Sequence, residues 1–297
     1  MACSSPSLQP DASFAADLHM HSTASDGKLK PGELIHHAHQ QGLTLVALTD
    51  HETLSGIPEA EATAKSLGMR FIPGVEINTA GNREVHVLLY FVHAAMTGLV
   101  QTLQGINRDR RERCLKFIER FKDMGFPFTE EELQIPPGTH CNRPHIARVL
   151  VRKGYVRSDQ EAFERYLAVG KPGYIPRVDV ATAGLIELAR KEGAVPVLAH
   201  PGLIREPALK SREALLHLKH AGLMGLEAYH PKHTPAECRA WDQMARSLGL
   251  LVTGGSDYHG SNDDHGEIGS QVRRWASMRE DALLLMNQAT SLAGGRV

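Results

Sequence analysis

Short apolar runs alternate with amphipathic segments along most of the chain, the pattern typical of βα units that form a parallel sheet or barrel. Seven runs have the length and composition of buried strands: FAADLHM, LTLVALT, MRFIPGV, VHVLLYF, AVPVLA, LMGLEAY and LLVTGG. The segments between them carry helix signals. Pro31 can open the first helix and Gly42 can close it, and Thr234, Pro235 and Glu237 form a capped start. The pattern therefore predicts an α/β fold.

The alternation breaks between the fourth and fifth predicted strands, where about 100 residues carry no clear strand, far more than a βα connection needs. This segment instead predicts helices: one from about Val100 to Met124, a second that begins at Asn142 and Pro144, and a third that begins at Ser158. We interpret it as a small helical domain inserted into the α/β core.

The predicted organisation divides the chain into a tail, a core and an insertion. Residues 1–14 are expected to form a loose N-terminal tail. Residues 15–99 and 177–297 are expected to form the core. Residues 100–176 are expected to form the inserted helical domain, which we call the lid.

Charge is balanced over the whole chain but not within the lid. The chain has 33 Lys and Arg residues and 34 Asp and Glu residues, so no overall field attracts nucleic acid or anionic lipid. Residues 100–176 hold 14 basic and 10 acidic side chains, a net charge of +4. The sequence has no basic run and no series of aromatic residues of the kind that binds long nucleic acid. The excess charge instead favours a small anionic substrate.

Cysteine spacing and the N-terminal segment indicate the compartment. Cys3, Cys114, Cys141 and Cys238 are widely separated, which predicts neither a zinc knuckle nor a disulfide framework and fits a reducing cytoplasm. The opening segment MACSSPSLQPDASFAA lacks the basic start and apolar stretch of a signal peptide, and no run approaches the ~18 apolar residues of a membrane span. We expect a soluble cytoplasmic protein with no membrane contact and no obligate protein partner.

Histidine and carboxylate residues follow the predicted strands. Six of the seven strands end in segments with a candidate ligand, namely DLHMH, TDH, GVE, AHP, YHP and GGSDYH. Parallel barrels build their sites at these strand ends. The two histidines of HMH point to the same side of a strand. Because an uncompensated buried cluster of these groups is costly and metal ions satisfy all of them, the pattern predicts a metal centre.

Two positions have a competing structural interpretation. Asp26 precedes a glycine in the loop STASDG, where aspartate commonly serves the turn itself. His86 lies inside the fourth predicted strand, where alternation places it with Leu88 and Tyr90 and also fits a packed core histidine. His93, at the end of that strand, is the rival candidate ligand.

The segments DLHMHS, LTDH, PGVEI, VHVLLY, LAHP and GSDYH resemble, in this order, the motifs of the polymerase and histidinol phosphatase (PHP) superfamily. They cover residues 16–92 and 178–275. The resemblance implies a distorted (β/α)7 barrel that holds up to three metal ions. The implied ligands are His19, His21, Glu76 and Asp257 for the first ion, Glu76, His86 and His200 for the second, and Asp26, His51 and His259 for the third.

The ligand types bear on the metal and on the reaction. Imidazole and carboxylate ligands without thiolate suit manganese, iron or zinc. The resemblance favours manganese, with zinc and iron as alternatives. Three divalent cations outweigh the three carboxylates among these ligands, so an anionic substrate such as a phosphate ester is favoured. The resemblance implies in-line attack on phosphorus by a metal-bridging hydroxide, with His230 as a candidate proton donor; phosphate binding and simple packing are its alternatives.

The lid segments NRPHIARVL and KPGYIP resemble a PHP subgroup of nucleoside 3′,5′-bisphosphate phosphatases, which release the 3′-phosphate and leave a nucleoside 5′-monophosphate. The resemblance implies that the lid binds the 5′-phosphate. A predicted helix N-terminus at Arg143 also favours an anion. The candidate substrate-binding residues are Asn142, Arg143, Arg108, Arg111, Lys171 and Arg177, together with Asp26 on the core side.

Three other functions stay open at this point. Related enzymes trim short RNA from a 5′-monophosphate end, so a 5′-3′ exoribonuclease is one alternative. A histidinol phosphate phosphatase is another, although its small cationic substrate gains little from a basic lid. The third alternative belongs to a different class, a phosphate-binding module without catalysis. The complete set of motifs disfavours it.

Overall fold

Seven strands in the described part of the chain form one sheet, and their order in the sheet follows their order in the sequence. The computed structural model describes residues 15–79, 85–135, 141–178, 180–261 and 266–270, together with Asp281 and Leu285. The strands are β1 (Ala16–Asp17), β2 (Leu45–Leu48), β3 (Arg70–Thr79), β4 (Val85–Tyr90), β5 (Val195–Leu198), β6 (Gly225–Tyr229) and β7 (Leu251–Gly254). Each falls within one of the seven predicted runs or overlaps it. The predicted tail lies outside the described residues.

The two edges of the sheet meet, which confirms the predicted distorted (β/α)7 barrel. Met20, just after β1, pairs with Tyr258, just after β7, in a parallel bridge. The buried carboxylate of Asp17 reinforces this closure, because it accepts hydrogen bonds from the backbone N–H groups of Ser256 at 2.9 Å and Gly269 at 3.1 Å. The first and last strands therefore bring the residues that follow them to the same end of the barrel, which we call the rim.

The fourth strand runs against its neighbours. β4 pairs antiparallel with both β3 and β5, whereas the other strand pairs are parallel. The parallel pairing that is typical of βα units therefore does not hold at β4. Only residues 80–84 separate β3 from β4, and a parallel crossover needs about a dozen residues or more. As a result the start of β4, and not its end, lies at the rim where the parallel strands end.

Helices cover the barrel and build the lid. In the described residues they are α1 (Pro31–Gln40), α2 (Ile57–Ser66), α3 (Thr97–Asp123), α4 (Arg143–Arg152), α5 (Asp159–Ala162), α6 (Thr182–Glu192), α7 (Arg212–His220) and α8 (Pro235–Ser247). The predicted boundary signals function as expected: Gly42 has a φ of +80° after α1. The backbone N–H of Glu237 donates to Thr234 Oγ1 at 3.3 Å at the start of α8. None of the described helices is long and apolar enough to cross a membrane.

The lid has its own hydrophobic cluster, separate from that of the barrel. Its buried core includes Phe117 and Phe121 of α3 with Ile146 and Leu150 of α4. The predicted starts of the second and third lid helices are also found. The side chain of Asn142 caps α4 and that of Ser158 caps α5. The exact domain boundaries stay a prediction.

Candidate metal centre

Glu76, in the middle of β3, is the central carboxylate of the rim and is only 1% exposed. Its Oε1 lies 2.8 Å from His86 Nδ1 and 3.0 Å from His200 Nε2. Its Oε2 lies 3.2 Å from both His19 Nε2 and His21 Nε2. His51 Nδ1 lies 3.3 Å from Oε2, so five imidazoles converge on one carboxylate.

Three groups of side chains in the described residues place one ligand atom of each member within 4.8 Å of the others. The groups are His19, His21, Glu76 and Asp257; Glu76, His86 and His200; and His21, Asp26, His51 and His259. The structure thus brings together every residue that the family resemblance implies as a ligand, and it adds His21 to the third group. Glu76 belongs to two groups, as a bridging carboxylate would.

The reversed direction of β4 explains the position of His86. Because β4 begins at the rim, His86 at its start faces Glu76, and its Nε2 lies 2.9 Å from Asn78 Nδ2. His93 follows the other end of β4, is exposed and belongs to none of the three groups. The alternative of a packed core histidine does not describe His86, which contacts polar groups through both ring nitrogens.

The Asp26 loop is both a turn and a part of the third group. Buried Asp50 holds the loop, since it accepts from Ser22 Oγ at 2.7 Å and from Ser25 Oγ at 2.6 Å. The carboxylate of Asp26 is left to face the rim, with Oδ1 3.3 Å from His259 Nε2. Its side chain is about half exposed, at 47%. Asp50, although it adjoins His51 in the motif, serves the loop and belongs to none of the three groups.

Backbone strain is concentrated at this rim. Glu52, His200 and Asp257 have φ values of 48°, 26° and 51°. Such left-handed conformations cost non-glycine residues on the order of 1–3 kcal/mol and occur mainly at functional sites. Close packing adds a further constraint, because a Cβ on Gly255 would lie 2.3 Å from the Cβ of His19. The rim is therefore fixed by its backbone as well as by its side chains.

Glu227 on β6 is a site residue that the sequence analysis missed. It is fully buried, and its carboxylate lies 3.0 Å from His19 Nδ1 and accepts from the backbone N–H of His200 at 2.8 Å. A carboxylate accepts hydrogen bonds, so Nδ1 of His19 carries a proton and Nε2 is the ring nitrogen that faces the centre. The signal in the sequence is a carboxylate within the apolar run LMGLEAY.

His230, the candidate proton donor, is fully buried. Its Nδ1 accepts from the backbone N–H of Lys232 at 3.2 Å, so its Nε2 carries the proton. That nitrogen lies 3.2 Å from Asp257 Oδ2. The structure therefore places His230 as a hydrogen-bond partner of a candidate ligand, and its role as a proton donor to a leaving oxygen stays a prediction.

The charges of the rim compensate one another. Burial disfavours the charged form of His21, but hydrogen bonds to Asp257 and Glu76 outweigh this and raise its pKa to about 10. Burial likewise opposes ionisation of Glu76, yet His51, His19 and His86 hold the pKa of its carboxyl well below the usual range. The carboxylates therefore require neighbouring positive charge.

The donor set fits divalent cations. It combines imidazole and carboxylate groups without a thiolate, which suits manganese, iron or zinc. Two buried ring nitrogens, His21 Nδ1 and His200 Nδ1, have no hydrogen-bond partner among the described residues. Ions at this rim would replace the protons that otherwise offset the carboxylates.

The lid places a cluster of arginines near this rim. Arg113 is 6% exposed, and its Nε and Nη2 donate to the carbonyl of Ile175 at 2.9 and 2.7 Å. Burial, followed by the charges of Arg177 and Arg143, lowers the pKa of Arg113 to about 10. The structure thus groups two predicted residues, Arg143 and Arg177, with Arg113, which the sequence analysis did not single out.

Arg110, also missed from sequence, connects the arginine cluster to the rim. Its guanidinium pairs with the carboxylate of buried Glu52, the residue after His51. A cavity lined by Arg110, Arg113, Arg177 and Asn78 lies beside the second group of candidate ligands, because Asn78 contacts His86. Charge spacing along α3, with arginines three residues apart on one face, was the available signal.

The other predicted substrate-binding residues have different surroundings. Arg143 lies over the rings of Phe163 and Tyr174, with centroid distances of 5.7 and 5.8 Å. Asn142 uses its side-chain oxygen to cap α4. Arg108 and Lys171 are exposed. Arg111 lines a second cavity in the lid.

Known proteins resemble the chain over most of its length. The sequence profile of the PHP domain matches residues 17–173. A 5′-3′ exoribonuclease of Haemophilus influenzae is 35% identical over 249 residues, which cover 82% of this chain and 89% of that protein. A 3′,5′-nucleoside bisphosphate phosphatase of Chromobacterium violaceum is 30% identical over 256 residues, which cover 85% and 90%.

A solved structure supports the same fold. The crystal structure of a proposed metal-dependent phosphoesterase of Bifidobacterium adolescentis superposes with a TM-score of 0.77 at 28% identity. The superposition covers 94% of this chain and 98% of the other. Barrel and lid segments are therefore both included in the likeness.

Proposed function

The chain belongs to the PHP domain family of metal-dependent phosphoesterases, and we propose that it removes the 3′-phosphate from nucleoside 3′,5′-bisphosphates and leaves the 5′-monophosphate. The observation that carries the proposal is that a site suited to cations lies beside a site suited to an anion. The rim gathers buried carboxylates and imidazoles that fit cations, and the adjacent lid gathers arginines that fit an anion. A substrate with two phosphates matches both.

We assign the metal ions, manganese in the first instance, to the three groups of rim residues. The first would be held by His19, His21, Glu76 and Asp257, the second by Glu76, His86 and His200, and the third by Asp26, His51 and His259. When bound, such ions lower the pKa of water, orient phosphate oxygens and stabilise the leaving oxygen. No side chain of the rim is required as a nucleophile.

The protein's own residues hold this arrangement in place. Glu227 fixes the tautomer of His19, so that the lone pair of Nε2 faces the rim. His230 donates to Asp257 and keeps one carboxylate oxygen occupied while the other faces His19 and His21. Partners of this kind orient ligands and raise metal affinity. We therefore assign His230 to orienting Asp257 before any role in proton transfer.

The lid, through Arg110, Arg113 and Arg143, would bind the 5′-phosphate together with Arg177, the first residue after it. Burial and mutual repulsion disfavour the positive charge of this cluster. Among the described residues, only the carboxylate of Glu52 is paired with it by a direct contact, so most of its charge is not compensated. A phosphate dianion compensates such charge, and arginine recognises phosphate through paired N–H donors.

A 5′-3′ exoribonuclease acting on short RNA is the second candidate, favoured by the relative at 35% identity. The two activities break the same bond. Removal of a 3′-phosphate and removal of the first nucleotide of a 5′-phosphorylated RNA both cleave the bond between phosphorus and O3′, and both release a nucleoside 5′-monophosphate. The substrates differ in whether the phosphorus carries a second ester. Histidinol phosphate is disfavoured because its cationic amine would meet the arginine cluster.

The proposal also covers the cellular location of the protein and the size of its substrate. Cys114, Cys141 and Cys238 are buried free thiols, which suits the reducing cytoplasm that we expect for this enzyme. Small nucleotides fit the limited extent of the arginine cluster. Neither a membrane nor a protein partner is part of the proposal.

The experiment is a comparison of substrates on purified, manganese-loaded protein. We expect phosphate release from adenosine 3′,5′-bisphosphate with AMP as the product and little further hydrolysis of AMP. Histidinol phosphate and simple aryl phosphates serve as comparison substrates. A preference for either of them over the bisphosphate would refute the substrate assignment while leaving the phosphoesterase class intact.

A further inference from the structure

Glu52, which follows the candidate ligand His51, is a fully buried carboxylate that belongs to none of the three ligand groups. Its backbone has a φ of 48°, a conformation that glycine adopts freely and that strains other residues. Burial of a carboxylate is costly as well. A glutamate at this position is therefore stable only if its partners offset both costs.

Two partners of Glu52 belong to β3. Its backbone N–H donates to the carbonyl of Glu76 at 2.9 Å, beside the bridge that pairs His51 with Glu76. Its Oε1 accepts from the backbone N–H of Asn78 at 3.1 Å. The side chain of Asn78 in turn contacts His86 Nε2 at 2.9 Å. Glu52 therefore adjoins one candidate ligand and holds the partner of another.

The other two partners belong to α3 of the lid and lie about one helical turn apart. Asn107 donates from Nδ2 to the carbonyl of Glu52 at 3.1 Å. The guanidinium of Arg110 pairs with Oε1 of Glu52 and is the only cation in direct contact with that carboxylate among the described residues. Loss of Arg110 would therefore leave a buried carboxylate without a compensating charge, which is a costly state.

We propose that Glu52 is a positioning residue through which the lid maintains the metal centre. Contacts from α3 fix Glu52, and Glu52 fixes the backbone next to His51 and next to Asn78, the partner of His86. The proposal rests on the metal centre of the proposed function and is independent of the choice of substrate. Arg110 is then an exception among the lid residues, because it acts on the metal centre as well as on substrate selectivity.

A simple charge effect makes a different prediction. Removal of the negative charge of Glu52 would weaken cation binding at the rim, whereas removal of the positive charge of Arg110 would strengthen it. A positioning role predicts that both changes weaken cation binding, because each breaks the same contact. The sign of the Arg110 effect therefore separates the two explanations.

The test is a manganese titration of metal-stripped protein without nucleotide, with the melting temperature of each stripped variant as the check on folding. The variants are Glu52→Gln and Arg110→Gln, and Lys116→Gln, at an exposed position of α3 outside the arginine-lined cavity, is the matched control. We expect manganese affinity to fall about tenfold in the first two variants, the loss typical of partners that orient metal ligands, and to stay unchanged in the control. Arg110→Lys, which restores the charge, should recover part of the loss.

The double variant, with both Glu52→Gln and Arg110→Gln, keeps the test valid if Arg110→Gln alone does not fold, because it removes both charges of the buried pair together. If the two residues act as a unit, the double variant should bind manganese as Glu52→Gln does, about tenfold below the wild type. A further fall would mean that the residues act independently, and a higher affinity would mean that only charge matters. Either result, or unchanged or higher affinity in a folded Arg110→Gln variant, would overturn the positioning role.

Activity on a nucleoside 3′-monophosphate, which carries no 5′-phosphate, provides a second readout. Arg110→Gln should lower this activity at limiting manganese and restore it at saturating manganese. Activity equal to that of the wild type at limiting manganese would contradict the proposal. A wild-type chain that binds no manganese would refute the metal centre and the role of Glu52 with it, whereas unaltered affinity in the variants would remove only the role of Glu52.

Discussion

The rim of the barrel and the lid are both rich in charge, but they differ in how that charge is balanced. At the rim, the carboxylate of Glu76 lies within 3.3 Å of five imidazoles, so negative and positive groups are paired in a buried network. In and beside the lid, burial and then the like charges of Arg177 and Arg143 lower the pKa of Arg113. We therefore expect cations to replace protons at the rim and an anion to bind at the arginines of the lid.

From this difference we expect the rim to carry the catalysis and the lid to set the substrate selectivity. The rim is held by strand pairing, by buried partners such as Glu227 and by strained backbone at Asp257. The lid packs around its own hydrophobic cluster and contacts the rim through the Glu52–Arg110 pair. Changes at the rim should therefore affect every substrate, and changes in the lid should affect substrates according to the groups that they carry.

The largest expected effect is at the rim, where Asp257→Asn removes a carboxylate from the first ligand group. We expect turnover of all phosphate esters to fall by roughly 10²–10³-fold or more, because the charge that holds the ion is lost while the backbone conformation, which asparagine also adopts, is kept. Nucleotide binding at the lid should be retained. Turnover and bound metal per chain are measured together, and unchanged turnover would contradict the metal mechanism.

The next effect tests whether Glu227 acts through His19. Glu227→Gln keeps the size of the side chain but removes the obligate acceptor, so the His19 tautomer is no longer fixed. Loss of such a partner costs about 10–100-fold in metal affinity or activity. Metal affinity should fall in Glu227→Gln, and activity should fall with it on all substrates. If metal affinity stays at the wild-type level while stability falls, Glu227 has only a packing role.

An effect of similar or smaller size, but selective, is expected in the lid. Arg143→Ala should weaken action on 5′-phosphorylated substrates by about 10–100-fold, the equivalent of one charge-assisted hydrogen bond. Nucleoside 3′-monophosphates, which lack the 5′-phosphate, should be affected much less. Arg148→Ala, an exposed position on the same helix, is the matched control. Equal losses on both substrate types would remove the distinction between lid and rim.

The smallest effect is a pH dependence of stability. The pKa of His21 is raised from 6.5 to about 10 by Asp257 and Glu76, despite burial. Its contribution is therefore complete below pH 6.5 and is lost as the pH rises toward 10. Metal-stripped protein should lose a few degrees of melting temperature over this range, whereas manganese-loaded protein should lose less because ions replace the protons. Parallel melting curves for the two forms would contradict this account.

The sequence predicts the rim well because its signals are local. Period-two spacing places His19 and His21 on one side of a strand, and the end of each parallel strand is marked by an apolar run. The strand number, the barrel and the helix starts at Pro31 and Thr234 are confirmed on the same basis. Geometry also brings the implied ligands together, although their binding of metal stays a proposal.

Features that depend on topology or on distant contacts are not predictable from these patterns. The reversal of β4 decides between His86 and His93, and no local signal marks strand direction except the short connection before it. Glu227 serves a residue more than 200 positions away in sequence, at His19. The arginine cluster combines α3 with residues near Arg177, so single-residue inspection found only part of it.

The most direct test of the central claim is a manganese titration of metal-stripped wild-type protein, with bound ions counted and phosphate release from adenosine 3′,5′-bisphosphate followed in the same samples. We predict no release from the stripped protein and a rise in activity that saturates as up to three ions bind per chain. Activity that is present in the stripped protein, or that is unchanged as ions bind, would contradict the assignment of the rim as a metal-dependent phosphoesterase site.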